Sequence, residues 1–211
     1  MRIDLYHDTV CPWCRIGKAH MHQALKQWQG DPVEVHYHTF YLNPDIPTEG
    51  YNFREYMTAK GDGQVPLEGW FARPREMGEQ VGLKFNFENI EHAPNTTLSH
   101  RLIALAPTDQ QESMIDAVYA AYFEHGRNIG ALDVLLDIAT EQGLDRESTR
   151  EALTGDAETA SVAADVQQAR QLGVTGVPFF VFNQRYAFSG AQPTEVFLQV
   201  MEKVATETPA P

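Results

Sequence analysis

Arg2-Ile-Asp-Leu-Tyr-His-Asp-Thr-Val-Cys11-Pro-Trp-Cys14 opens the chain, and its reading decides how the rest is understood. Ile3 and Leu5 alternate with polar neighbours at the period of a half-buried strand, and Val10 follows close behind. The strand runs into Cys-Pro-Trp-Cys, after which Ile16, Ala19, His20, Leu25 and Trp28 recur at helical spacing. A helix N-terminus carries unpaired backbone N–H groups and the positive end of the macrodipole, and both stabilise a thiolate. Pro12 suits the first helical position because its missing N–H would be unpaired there anyway, which places Cys11 at the cap. The expectation is an exposed, activated Cys11, with Cys14 covered one turn later and placed to resolve a mixed disulfide.

The competing reading of such a pair is half of a zinc site. Zinc takes four ligands, usually two Cys-x-x-Cys units or a Cys pair with a His pair. His20, His22, His36 and His38 could supply the second pair. Pro and Trp between the cysteines, at a strand-to-helix junction, suit redox chemistry better, so no metal is expected. Cys11 and Cys14 are the only cysteines, whereas a secreted disulfide scaffold needs more, at longer spacings. No run approaches the roughly 18 apolar residues of a membrane span. Met1 leads straight into the first strand without a signal-peptide core, so a cytoplasmic protein without a membrane partner is expected. The net charge of −13 argues against nucleic acid or an anionic membrane surface.

Gly30-Asp-Pro32 stops the first helix, which spans 12–28. Residues 33–40 alternate again, with Val33, Val35, Tyr37 and Thr39 on one face of a second strand. Strand, helix, strand implies a parallel pair with a right-handed crossover. An irregular stretch over 41–62 holds a short helix from about Asn52, and helices follow at 67–82, 95–106, 109–125, 131–142, 146–153 and 157–172. Asn95, Asp109 and Asp156 are the candidate caps. Strand signals return only at 176–182, followed by a tight turn at Asn183-Gln184, a strand over 185–189 and a last helix from Pro193 to Ala205. Val196, Phe197, Val200 and Val204 form the apolar face of that helix. The chain therefore reads as α/β: a βαβ…ββα mixed sheet over 1–50 and 173–211, interrupted by a helical insertion over 51–172.

Strand–Cys-Pro-x-Cys–helix, a helical insertion and a late Gly-Val-Pro before a hairpin and terminal helix resemble the DsbA-like branch of the thioredoxin fold. The FrnE-like proteins are the nearest pattern, through Cys11–Gly17, Asn95–Arg101, Gly173–Phe182 and Ser189–Pro193. These stretches are spread from end to end. The resemblance implies a thiol–disulfide oxidoreductase with Cys11 as nucleophile, Cys14 as resolving thiol and a cis-proline, Pro178, opposite them. It places the backbone of Val177 toward the cleft, where an extended substrate could pair with it as an added strand. Pro12 and Trp13 would flank the same substrate. The resemblance also implies a redox-active Cys11–Cys14 disulfide as the working group, no bound cofactor, glutathione as a candidate co-substrate, thiol or disulfide substrates, and a monomer or homodimer. Two departures stand out. Trp13 replaces the His found in DsbA itself, and the second cysteine pair of some FrnE-like members is missing.

Kappa-class glutathione transferases and hydroxychromene-carboxylate isomerases resemble the same architecture, but typically present Ser where Cys11 stands. A redox-inert chaperone with an apolar groove is the third reading. Asn95 has a structural reading as a helix cap and a functional one, shared with His100, as a substrate contact at a cleft rim. His7 is a candidate neighbour of Cys11. Trp70-Phe71 and Tyr119, Tyr122 and Phe123 read as core rather than as a cofactor box.

Overall fold

The opening alternation forms β1 (Arg2–His7), and the helical spacing after the cysteines forms α1 (Pro12–Gln27). The structure is a computed structural model that describes residues 1–61 and 66–207. β2 (Glu34–Thr39) lies parallel to β1, with Ile3 opposite Val35 and Leu5 opposite Tyr37. The middle of the chain supplies β3 (Tyr51–Asn52), α2 (Phe53–Lys60), α3 (Leu67–Gln80), β4 (His92–Ala93), α4 (Thr97–Leu105), α5 (Gln111–Phe123), α6 (Leu132–Glu141) and α7 (Arg146–Thr154). α8 (Thr159–Gln171) leads to the hairpin β5 (Phe179–Phe182) and β6 (Tyr186–Ser189), and α9 (Thr194–Thr206) follows. The main sheet has the order β2-β1-β5-β6, parallel only between β1 and β2. This is the mixed α/β sheet with a helical insertion that the element order implies.

Two compact units result, Met1–Leu42 with Asp165–Pro211, and Asn43–Ala164. In the first, residues two apart share a sheet face, so Ile3, Leu5, Phe180 and Phe182 form one apolar surface. Met21 and Ala24 of α1 and Phe197, Met201 and Val204 of α9 cover it. Phe180 meets Phe197 edge to face at 4.7 Å. Tyr6 and Val181 point the other way, onto Ala169 of α8 and Val174. At the hairpin, Asn183 (φ 46°) and Gln184 (φ 57°) both adopt left-handed backbone, the geometry whose twist matches flanking strands. Asn183 Oδ1 also accepts from the Arg2 N–H at 2.7 Å, fastening the turn to β1.

The seams of the units fall at 42/43 and 164/165, against 50/51 and 172/173 expected from the sequence. A buried ionic cluster explains why the second half of α8 goes with the sheet. His38 Nδ1 donates to Asp165 Oδ1 and its Nε2 to Asp4 Oδ1, each at 2.8 Å. Asp165 Oδ2 accepts from the Thr39 N–H at 2.9 Å, Arg2 pairs with Asp4, and the Tyr6 ring stacks on His38 at 4.8 Å.

The second unit carries its own core. Phe53, Phe71, Phe87 and Phe85 stack in succession, with the Phe71 and Phe87 rings 4.4 Å apart. Buried Arg101 of α4 donates to the carbonyls of Ala152, Leu153, Gly155 and Ala157, capping the end of α7 that its own N–H groups leave open. The two-residue ladder of β3 with β4 has too few residues to show a period, and the sequence reading did not include it. Among the described residues no helix is long and apolar enough to cross a membrane.

His38 offers a direct test of the ionic cluster. Burial works to lower its pKa, but hydrogen bonds to Asp165 and Asp4 and their charges outweigh it and raise the pKa to about 9. The folded value lies above the ordinary 6.5, so the stabilisation is complete below about pH 6.5 and is lost as pH rises through about 9. It amounts to about 3 kcal/mol. Urea melts between pH 6 and 10 should show this decline, and His38→Gln should flatten it while lowering stability at pH 6 by about 3 kcal/mol. A wild-type profile flat across that range would mean that the fold does not raise the pKa of the ring.

Candidate active site

The turn between β1 and α1 presents the cysteines. Cys11 is the N-cap of α1, with extended backbone (φ −94°, ψ 110°), and Pro12 occupies the first turn. The Cys11 carbonyl accepts the first helical bonds, from the N–H of Cys14 at 3.1 Å and of Arg15 at 3.4 Å. No acidic residue stands in the first turn, so nothing there opposes the positive end of the helix. The Cys11 side chain does not cap its own helix. Its thiol instead donates to the carbonyl oxygen of Val177 at 3.6 Å.

Both cysteines are free thiols. Cys14 is sealed at 0% exposure, as the sequence implied, but Cys11 is only 3% exposed, where an exposed sulfur was expected. The Val177 carbonyl lies against that sulfur, a neighbour 166 residues away that no local pattern reveals. Burial pushes the Cys14 thiol well above its ordinary pKa. The hydrogen bond with Cys11 and that residue's charge add to the rise, a backbone hydrogen bond from Asp8 pulls the other way, and the Asp8 charge raises it further.

The Val177–Pro178 peptide is cis, Pro178 is buried and Val177 half-buried. Pro12 and Trp13 are half-buried beside the cysteines in sequence. Cys11, Pro12, Trp13, Cys14, Val177 and Pro178 thus all belong to the first unit. Asn95 and His100 belong to the second. There the Asn95 amide donates to the Ile46 carbonyl at 2.7 Å and accepts from the Thr97 N–H at 3.0 Å. Thr96 is the formal N-cap of α4, and Asn95 satisfies the helix from one residue further out. His100 is 2% exposed on the same helix. His7 is buried, its ring edge-on to Tyr37 at 6.2 Å.

Two residues that the sequence reading assigned no role shape the site. Asp8 is 1% exposed, and its carbonyl accepts from the Cys11 N–H at 3.0 Å. Gly17 faces the proline: a Cβ there would stand 3.0 Å from Pro178 Cγ, 3.2 Å from Phe180 Cζ and 3.4 Å from Ala191 Cα. Only a glycine lets α1 lie this close to the 178–180 segment. The sequence signals were an acidic residue between strand and cap, and a glycine inside an otherwise helical run. Among the described residues, no group of three or more His, Cys, Asp or Glu side chains is arranged to hold a metal ion. Two grooves of the second unit, about 340 and 470 Å³, include neither Asn95 nor His100 in their lining.

Residues 2–202 match the DSBA-like thioredoxin domain family. The chain belongs to that family. It is 33% identical to the probable DsbA oxidoreductase SCO1869 of Streptomyces coelicolor, covering 100% of this chain and 93% of that one with a TM-score of 0.91. It is 29% identical to the uncharacterized protein YwbO of Bacillus subtilis (strain 168), covering 93% of this chain and 94% of that protein. The cytosolic disulfide reductase DsbM of Pseudomonas aeruginosa, solved with GSH, shares the fold at 19% identity, with a TM-score of 0.67 over 98% of this chain and 100% of that one.

Gly17→Ala tests how tightly the proline segment is held. An exposed helical Gly→Ala change would gain about 1 kcal/mol from helix propensity. Here the neighbours are a proline ring, a fully buried Phe180 and main chain, which cannot yield, so a loss of about 1 kcal/mol or more is expected in urea melts. A gain in stability would show that the segment moves freely away from α1.

Proposed function

We propose that this DsbA-like protein is a thiol–disulfide oxidoreductase of the FrnE-like kind, working through Cys11 and Cys14. The observation that carries the reading is a helix N-terminus that presents Cys11 to the Val177 carbonyl while Cys14 is sealed one turn behind. Cys11 as thiolate attacks a substrate disulfide, forming a mixed disulfide and releasing one substrate thiolate. Cys14 then attacks Cys11 Sγ, the bond to substrate breaks, and the second substrate sulfur leaves with the electron pair. Two electrons pass from the enzyme dithiol to the substrate, and the reverse sequence oxidises a substrate dithiol. Pro178 walls the sulfurs, and Val177 offers its main chain to an extended substrate, with Pro12 and Trp13 flanking.

Glutathione is the proposed small-thiol co-substrate that returns the Cys11–Cys14 disulfide to the dithiol, in keeping with a fold shared with the GSH-bound DsbM. A reducing, cytoplasmic setting suits a chain whose only cysteines are this pair.

Insulin reduction driven by a thiol provides the test. Cys11→Ser should abolish activity, and Cys14→Ser should lower it at least tenfold while a Cys11 mixed disulfide accumulates, visible as an added mass on the intact protein. A glutathione-using transferase or isomerase of this architecture takes its sulfur from bound glutathione and would be indifferent to Cys14. Full turnover in Cys14→Ser would therefore overturn the two-cysteine mechanism.

A further inference from the structure

Residues 189–194 run from the end of β6 into α9, and both ends of this short segment are tied to the site. At one end the Gly190 N–H donates to the Pro178 carbonyl at 2.8 Å. Gly190 has left-handed backbone there (φ 86°), which glycine adopts without steric cost. At the other end the buried Thr194 bonds across to α1. Its hydroxyl donates to Gln23 Oε1 at 2.9 Å, and its oxygen accepts from His20 Nδ1 at 3.3 Å. The other ring nitrogen of His20, Nε2, is buried without a partner among the described residues, as suits the bare nitrogen of a neutral imidazole whose proton is on Nδ1. Between the two ends, the Gln192 side-chain amide donates to the Ser189 carbonyl at 3.0 Å and its main-chain N–H to the Gly190 carbonyl at 2.9 Å. Ala191 lies against α1, its Cα 3.4 Å from where a Cβ on Gly17 would stand.

We propose that residues 189–194 are a strap between α1 and the Val177–Pro178 segment, and that Thr194 is the positioning residue that seats it and so sets where the Val177 main chain meets an extended substrate. The inference rests on the oxidoreductase reading above and adds to it a device that favours peptide disulfides over small ones. A small disulfide needs only the Cys11 sulfur, whereas an extended chain also has to pair with Val177. Different contacts hold these two requirements. The Asp8 carbonyl accepts from the Cys11 N–H at 3.0 Å and fixes the helix cap from the β1 side, without the strap. The Pro178 carbonyl is tied to the strap through Gly190. Without the Thr194 hydroxyl, His20 Nδ1 and Gln23 Oε1 lose the partner they share, and a part-buried donor and acceptor have to shift to find others. The strap shifts with them and takes the Pro178 carbonyl along, while the cap stays in place.

The test compares the second-order rate constants of the reduced protein with two disulfides, a linear peptide dimerised through a central cysteine and 5,5′-dithiobis(2-nitrobenzoate). Thr194→Val keeps the branched shape and removes the hydroxyl. Its rate constant with the peptide should fall about fivefold, the worth of one main-chain hydrogen bond, and that with the small disulfide should stay within about twofold. Thr194→Ser retains the hydroxyl and should keep the wild-type ratio. Any other pattern would overturn the proposal and leave the two-cysteine mechanism standing, whether a parallel fall with both disulfides, no fall with the peptide, or a Thr194→Ser protein that behaves as Thr194→Val does. A wild type that reacts with neither disulfide would overturn both. If Thr194→Val does not fold, hydrogen exchange in Cys14→Ser, which traps the mixed disulfide, decides the matter. Exchange of the Gly190 amide should slow at least about threefold when Cys11 carries the peptide but not when it carries the aromatic thiolate. Equal exchange in the two adducts refutes the link between strap and substrate.

Discussion

The first turns of α1 and the segment around Pro178 touch at two points, and the site exists only because they do. At one, the Cys11 thiol reaches the Val177 carbonyl. At the other, the bare Cα of Gly17 leaves room for the Pro178 and Phe180 rings. The contacts are a turn and a half of helix apart, so together they fix both the distance and the tilt of the helix against the loop. The sheet supplies the footing, since Leu5 of β1 lies opposite Phe180 of β5 and α9 packs Phe197 beneath. The helix terminus that carries Cys11 is thereby held against main chain from the far end of the sequence.

Polar groups in this unit are buried in a pattern that separates support from chemistry. On one sheet face His38 is charged, pinned between Asp4 and Asp165, and serves to bind α8 to β2. At the helix cap Asp8 is buried, its carbonyl accepting from the Cys11 N–H and its carboxylate from the Leu42 N–H. Each cluster pairs its charges or supplies them with donors, as burial requires. The first adds to stability, while the second fixes the start of the helix that carries the two cysteines.

The inserted unit has an independent logic. Its aromatic stack and the Arg101 cap of α7 are satisfied from within residues 43–164. Asn95, which sequence reading offered both as a cap and as a substrate contact, uses its amide to join the Ile46 loop to the start of α4.

Most elements were legible from the chain alone because their causes are local. Alternation marked β1 and β2, helical spacing placed α1 to within a residue at its end, and Asn183-Gln184 marked the hairpin. Cys-Pro-Trp-Cys at a strand-to-helix junction pointed to redox chemistry by itself, since a proline after the first cysteine dictates which cysteine stands at the helix cap. The sequence did not disclose the burial of Cys11, the role of Gly17, the grip of Asp8 on Leu42 or the ionic bridge from His38 to Asp165. Those partners are 166, 161, 34 and 127 positions apart. A period of two or 3.6 residues describes which side of one element is apolar, but it contains no record of what distant segment will face it. That was decided only when the two ends of the chain closed into one sheet.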